Sequence, residues 1–237
     1  RPGTVAENTI PLDSWTWRVP TLGPRQRWWW SSRNAYTDQM LTSDAPIVVW
    51  NPFLGVSNLW DEISGSSAKL AFDMLDDWTA HYAFAPIKEE VELTYRRLFE
   101  RADIVTANSE ATLSTAQAFG RSDAILVTNG CDPERFDTNS SASGPLKVGY
   151  VGKIGRRVDL ELVLDVSGAL PDVEFVFAGP VLDREYEAPL RARPNIELLG
   201  DVHYERVPSL LQTFDVGWVP HRVGDGEVGG DVIKTYE

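Results

Sequence analysis

Leu146-Lys147-Val148-Gly149-Tyr150-Val151-Gly152-Lys153-Ile154-Gly155-Arg156-Arg157 is the stretch on which the fold turns. An apolar run from Leu146 to Val151 breaks at a glycine turn. Three cations follow, and then the spacing of a helix around Val158 to Leu170. Strand, close turn and helix in that order open a βαβ unit. Toward the C-terminus the alternation continues. Val173 to Ala178 (VEFVFA), Asn195 to Leu199 (NIELL) and Asp215 to Val219 (DVGWV) read as strands, with a short helix near Val207 to Phe214. Strands that are continuous apolar runs, rather than in-out alternations, predict a parallel sheet covered by helices on both faces.

Upstream, residues 137–145 (DTNSSASGP) are small and polar and end on Gly-Pro, the composition of a linker. A domain boundary is expected between 143 and 144. Before it the same grammar recurs. Pro46 to Trp50 (PIVVW), Lys69 to Met74 (KLAFDM), Asp103 to Ala107 (DIVTA) and Ala124 to Thr128 (AILVT) read as strands. After Pro86, the residues Ile87, Val91, Tyr95, Leu98 and Ala102 fall at helical intervals. Ser109 is placed to cap a helix through Phe119, with Gly120 closing it. The expected fold class is α/β, with two Rossmann-like domains and mostly parallel sheets. They occupy residues 1–143 and 144–237, the first incomplete at its start and the second at its end. The restart repeats topology, not sequence.

Residues 1–45 resist this grammar. Pro2, Pro11, Pro20, Gly23 and Pro24 interrupt any period, and Trp15, Trp17, Trp28, Trp29 and Trp30 crowd among arginines. Core and domain-contact tryptophan is the favoured reading because burial is the usual fate of Trp. Its competitor is an acceptor patch or a peripheral contact with a membrane surface.

The charge balance excludes one large class of partners. With 22 Lys and Arg against 35 Asp and Glu, the net charge is −13, which opposes nucleic-acid binding. One cysteine, Cys131, leaves no internal disulfide or cysteine-rich zinc site and favours a reducing, cytoplasmic compartment. No apolar run approaches the roughly 18 residues of a membrane-spanning helix. Arg1 opens the chain without the pattern of a signal peptide, so the sequence reads as the inside of a longer one.

Ligands of open α/β sheets bind beyond the carboxyl ends of the strands, so the residues just after each strand carry the chemistry. Gly152 permits close backbone approach. Lys153, Arg156 and Arg157 then offer cations at a helix start, which suits a diphosphate. A solvated basic helix start fits these residues equally well, and their glycine spacing matches neither a dinucleotide fingerprint nor a Walker loop. Lys234 and Glu237 share a face of a helix expected to start within Asp231 to Glu237, after the glycine-rich Val223 to Gly230. They are either a surface ion pair or a phosphate and ribose pair. Asp73, Asp76, Asp77 and His81 gather after a strand, as a base, a metal site or an acceptor-orienting cluster, or as helix caps and a solvent-facing histidine. Nothing has zinc-site spacing, and no metal or cofactor is expected.

Several modest motifs then stand in a fixed order. Ala102-Asp103-Ile104-Val105-Thr106-Ala107-Asn108-Ser109 and Val127-Thr128-Asn129-Gly130-Cys131-Asp132 come first, followed by the strand at Gly149 to Ile154. Pro194-Asn195-Ile196-Glu197-Leu198-Leu199-Gly200, Phe214-Asp215-Val216 and Ile233-Lys234-Thr235-Tyr236-Glu237 complete the series. Together they resemble family 4 glycosyltransferases of GT-B fold, and in particular a bacterial cell-surface polysaccharide and teichuronic-acid subgroup. The resemblance covers roughly residues 46–237.

That resemblance implies transfer of a sugar from a nucleotide diphosphate-sugar to a glycan or lipid-linked acceptor, with retention and without metal. The enzyme would be cytoplasmic, or peripheral at the inner face of the membrane. It implies that Lys153 and Arg157, with Arg156 second, stabilise the leaving diphosphate, that Lys234 assists, and that Glu237 holds the ribose. Asp73, Asp76 and His81 would be the acceptor-side catalytic candidates. The sequence departs from the family at Gly229, where the first member of an acidic pair is often found. Two other readings stand beside transfer: a non-catalytic subunit of the same fold that binds nucleotide or glycan and regulates a partner, and an epimerase using His81 or His203.

Overall fold

The computed structural model describes residues 45–56, 60–136, 139–222 and 232–237. The Trp-rich opening stretch, the glycine-rich loop over 223–230, Gly229 and Asp231 lie outside the described residues. The chain divides into two compact units, one ending at Thr128 and the other starting at Asn129 and taking in residues 232–237. The division thus precedes the polar stretch that composition suggested as a linker. Part of that stretch is tied to the second unit, where the Ser141 N–H donates to the Gln212 carbonyl at 2.8 Å.

In the first unit β1 (Ile47–Val49) is followed by a 3-10 turn at Pro52–Val56 and by α1 (Trp60–Gly65). Next come β2 (Leu70–Met74), a 3-10 turn at Tyr82–Ile87, α2 (Lys88–Arg101), β3 (Ile104–Ala107), α3 (Glu110–Ala118) and β4 (Ile125–Leu126). The four strands form a parallel sheet in the order β1-β2-β3-β4.

α2 begins later than Pro86, which sits in the preceding 3-10 turn. The expected apolar stripe holds: Val91, Tyr95, Leu98 and Phe99 are buried and pack with Leu70, Phe72 and Met74 of β2. Phe72, Tyr95 and Phe99 meet at ring separations of 5.2–5.9 Å, a packing of aromatic rings that adds to the burial itself. Ser109 caps α3 as expected, its hydroxyl accepting from the Thr112 N–H at 3.0 Å while Thr112 Oγ1 accepts from the Ser109 N–H at 3.0 Å. Gly120 follows at φ 97°, the left-handed backbone with which helices commonly end.

Charged side chains serve as ties in this unit. Asp103, just before β3, accepts from the Leu70 N–H at 2.9 Å and from Lys69 Nζ at 2.7 Å, which fixes the start of β3 to the start of β2. Those partners hold its carboxyl down at about 2. Arg121 donates to the carbonyls of Phe99 and Ala102 at 2.7 and 2.8 Å and so satisfies the end of α2.

The second unit carries β5 (Lys147–Val151), α4 (Leu160–Ala169), β6 (Glu174–Ala178), α5 (Arg184–Arg191) and β7 (Ile196–Gly200). A 3-10 turn at Tyr204–Arg206, α6 (Val207–Leu211), β8 (Val216–Gly217) and a 3-10 turn at Ile233–Thr235 follow. That last turn stands where the sequence suggested the start of a longer helix. The sheet is again parallel, but its order is β7-β6-β5-β8.

Strand order therefore reverses between β5 and β8. β6, an inner strand, is buried from Phe175 to Ala178, while the edge strand β7 is only partly covered. Phe214 packs so closely over Gly149 that a Cβ there would fall inside its ring. Asp215 fixes the register of β8, its carboxylate accepting from the Lys147 N–H at 2.8 Å and its own N–H donating to the Lys147 carbonyl at 2.9 Å. Asn195 is also architectural: its amide donates to the carbonyls of Ser167, Leu170 and Val173 at 3.0–3.1 Å, joining the end of α4 to the start of β7.

Candidate functional site

Where strand order reverses, the loops leaving two neighbouring strands diverge to opposite faces and leave a crevice at their carboxyl ends. In the second unit these loops leave β5 and β8. The first supplies Gly152, Lys153, Arg156 and Arg157, and the second supplies Pro220 and His221. The main chain joins them: the Arg222 N–H donates to the Arg157 carbonyl and the Asp159 N–H to the Pro220 carbonyl, both at 2.8 Å.

Gly152 is the pivot of the crevice. Its φ is 153°, and a Cβ there would run into Cε of Lys234 and approach the Tyr150 hydroxyl to 2.9 Å. The stem of Lys234 thus lies directly against this glycine, and its ammonium sits 5.9 Å from the centre of the Tyr150 ring. Lys234 is half-buried. Its ammonium is depressed from its ordinary value first by burial, then by Arg157 and, more weakly, by Lys153, while Glu237 acts the other way. Three cations from two parts of the chain are close enough to repel one another, an arrangement that an anion relieves.

Tyr150 and His221 form the floor of the cluster. The Tyr150 hydroxyl donates to the Lys153 carbonyl at 3.0 Å and lies 3.3 Å from Nε2 of His221. Burial pushes the Tyr150 hydroxyl up to about 12. Burial, then Lys234, then Arg157, hold the His221 imidazole down from 6.5 to about 4, so the ring is neutral at pH 7.

Glu237 stands beyond Lys234. Its Oε1 accepts from the Tyr204 hydroxyl at 3.2 Å, and the Arg135 guanidinium lies 4.2 Å from the centre of the Tyr204 ring. A carboxylate held on one oxygen keeps its remaining lone pairs for a second donor pair.

The structure thus brings Gly152, Lys153, Arg157 and Lys234 together, with Glu237 beside Lys234. Arg156 points elsewhere. Its N–H donates to Oδ2 of Asp183 at 3.0 Å and its guanidinium lies 4.0 Å from the same carboxylate, at the start of α5. His221, Tyr150 and Tyr204 were not singled out from sequence. For His221 a signal existed: it follows the strand at Asp215 to Val219 by two residues, where the rule of strand ends directs attention.

In the first unit the candidates are engaged one by one. Asp73 Oδ1 accepts from the Thr106 hydroxyl of the neighbouring strand at 2.6 Å. The carbonyl of Asp76 accepts from the buried Tyr95 hydroxyl at 2.8 Å, and the same hydroxyl accepts from the Trp78 N–H at 3.2 Å. Asp77 accepts from the main chain and hydroxyl of Thr79 at 2.9 and 2.6 Å and from Thr115 at 3.2 Å. His81 stacks on Trp78 with ring centres 5.7 Å apart and meets Phe84 edge-on. Among the described residues no group of three or more His, Cys, Asp or Glu is placed to hold a metal ion, and no helix is long and apolar enough to cross a membrane.

No family model matches the chain. Over 206 residues it is 23% identical to TuaH of Bacillus subtilis (strain 168), described as a teichuronic acid biosynthesis glycosyltransferase. That alignment takes in 78% of this chain and 50% of TuaH, so the chain spans about half the length of this relative. Among solved structures, a TarM variant from S. aureus in complex with fondaparinux, alpha-GlcNAc-glycerol and UDP superposes with a TM-score of 0.55 at 10% identity, covering 76% of this chain and 38% of that one. The catalytic domain of starch synthase IV from Arabidopsis thaliana, bound to ADP and acarbose, superposes with a TM-score of 0.58 at 13% identity, covering 89% of this chain and 59% of that one. The fold is that of GT-B glycosyltransferases, and the sequence is similar to the teichuronic-acid enzyme.

Proposed function

We propose that this chain is the part of a glycosyltransferase that takes a sugar from a nucleotide diphosphate-sugar and delivers it to a glycan or lipid-linked acceptor. The observation that carries the reading is the gathering of Lys153 and Arg157 around Lys234, whose stem lies against Gly152, at the point where the order of a parallel sheet reverses. UDP and ADP in the related structures support a nucleoside diphosphate as the anion that these cations await.

The chemistry follows from the charges. As the bond from the anomeric carbon to the diphosphate oxygen breaks, positive charge grows on the sugar and negative charge on the leaving phosphate. Lys153, Arg157 and Lys234 stabilise that negative charge where it develops, which is the work a divalent cation does elsewhere, so the reaction runs without metal. Because no counter-charge has to be drawn in, the cations cost no reorganisation at the moment of bond breaking. Glu237, held by Tyr204, accepts from the two ribose hydroxyls, and the acceptor oxygen bonds to the anomeric carbon with retention as the diphosphate leaves, its proton passing to the departing phosphate oxygen.

Calorimetric titration with UDP, ADP, GDP and dTDP tests the reading, and lack of binding by all four would sink it. Lys153→Ala is expected to weaken the diphosphate about tenfold or more while leaving the parent nucleoside nearly unchanged. Equal losses would remove Lys153 from the phosphate role.

A further inference from the structure

We propose that His221 is a working member of the diphosphate site: neutral while the site is empty, it takes up a proton at Nδ1 when the diphosphate arrives and meets the anion as an additional cation. This rests on the reading of the site as one for a nucleoside diphosphate.

The hydrogen bonds assign which nitrogen responds when the Tyr150 hydroxyl donates to the Lys153 carbonyl. The Tyr150 hydroxyl has one proton and donates it to the Lys153 carbonyl at 3.0 Å. Toward His221 Nε2, 3.3 Å away, the same oxygen can then only accept, so Nε2 carries the hydrogen and Nδ1 the lone pair. Protonation at Nδ1 leaves the Tyr150 bond intact. The ring changes charge without changing its anchor.

The groups around the ring set the direction of the response. Lys234, from the last 3-10 turn, and Arg157, from the loop after β5, act on it as positive charges, and Tyr150 of β5 is neutral. Val158 faces His221 through a main-chain bridge, and Arg222 follows it in sequence. Asp159, whose N–H bonds the Pro220 carbonyl, directs its carboxylate to the Leu162 N–H at 3.2 Å as the cap of α4. Burial and the two cations hold the empty-site imidazole near 4. A diphosphate beside Lys234 and Arg157 offsets the same two cations, and an opposite charge within about 4–6 Å moves an ionisable group by about 1–3 units. Binding therefore takes up a proton, and affinity rises as pH falls toward the value of the occupied site.

UDP-glucose and ADP-glucose are the probes, because their phosphates are diesters and lack the second ionisation, near 6, of a phosphate monoester. Affinities are measured by calorimetry at about pH 7.5 and about pH 5.5 for the protein and for His221→Gln. The imidazole resonance of His221 is followed by NMR with and without probe, His81 and His203 serving as internal references. We expect roughly fivefold tighter binding at the lower pH, a flat profile in His221→Gln, and a His221 titration moved upward by the probe. The resonance is read in the unsubstituted protein, so the test survives a variant that fails to fold. Binding with the same pH profile in both proteins, or a His221 titration that the probe leaves in place, overturns the inference alone. Failure of both probes to bind at either pH overturns it together with the nucleotide reading beneath it.

Discussion

The loop after β2 and the loop after β5 leave parallel sheets at equivalent points, and both carry ionisable side chains, yet they spend them differently. After β2, Asp73 and Asp77 accept from Thr106, Thr79 and Thr115, and His81 stacks on Trp78 at an angle of 27°. After β5, Lys153 and Arg157 share a field with Lys234, and burial together with Lys234 and Arg157 holds the His221 imidazole below its ordinary value. The sheet explains the difference. Among the described residues the first unit runs β1-β2-β3-β4 without reversal. The second reverses between β5 and β8, the place at which open α/β sheets take their ligands. Ionisable groups at a strand end point to a binding site when cations from separate parts of the chain gather there, as Lys153, Arg157 and Lys234 do.

The largest effect that would break this contrast is at Lys234. Lys234→Ala should weaken nucleoside diphosphate binding by about 10- to 100-fold, the range for losing a charge-assisted contact, whereas Asp73→Asn should leave it within about twofold. Calorimetry on both variants decides. Next comes Gly152→Ala, which places a methyl group where Lys234 Cε lies, on backbone that side chains rarely adopt. It should reduce nucleotide affinity about tenfold and lower the melting temperature. An unchanged affinity would mean that Lys234 does not need its seat on the glycine.

Tyr204→Phe keeps the ring beneath Arg135 and removes only the hydroxyl on Glu237. A loss of about threefold for UDP or ADP, absent for the matching 2′,3′-dideoxy nucleotide, is expected from one modest hydrogen bond. Smaller still are the acid profiles measured in urea. The His221 value is depressed on folding, so the stability from keeping it neutral is present above about 6.5 and is lost as pH falls toward 4; His221→Gln should gain on the parent protein through that window. Asp103 is depressed to about 2, so its contribution is present above about 3.8 and lost only as pH falls toward 2, and the deficit of Asp103→Asn should close there.

Much of the fold was legible because periodicity reports burial. The stripe of Val91, Tyr95 and Leu98, and the run from Phe175 to Ala178, name their elements unaided. α5 escaped notice because Pro189 lies inside it and only Tyr186 and Leu190 mark its buried side; α1 is six residues long with one buried side chain, Ile63. In the candidate site, strand ends pointed to Gly152, Lys153 and Arg157. Arg156, next in the chain to Arg157, turns to Asp183, a partner 27 residues away that no local pattern reveals. Strand order was equally hidden, since a strand inserted beside its first or its last predecessor reads the same along the chain. Without that order, His221 was one histidine among three.

β8 is two residues long and is held to β5 by Asp215 and by the ring of Phe214 over Gly149. Seen from the ribosome, the first three strands of the second unit emerge well before it. A nascent chain reaching α6 already owns the glycine turn with Lys153 and Arg157, but neither the strand that closes the sheet's far side nor the imidazole that follows it. β8 and the imidazole after it thus join a sheet whose glycine turn, Lys153 and Arg157 are already in place.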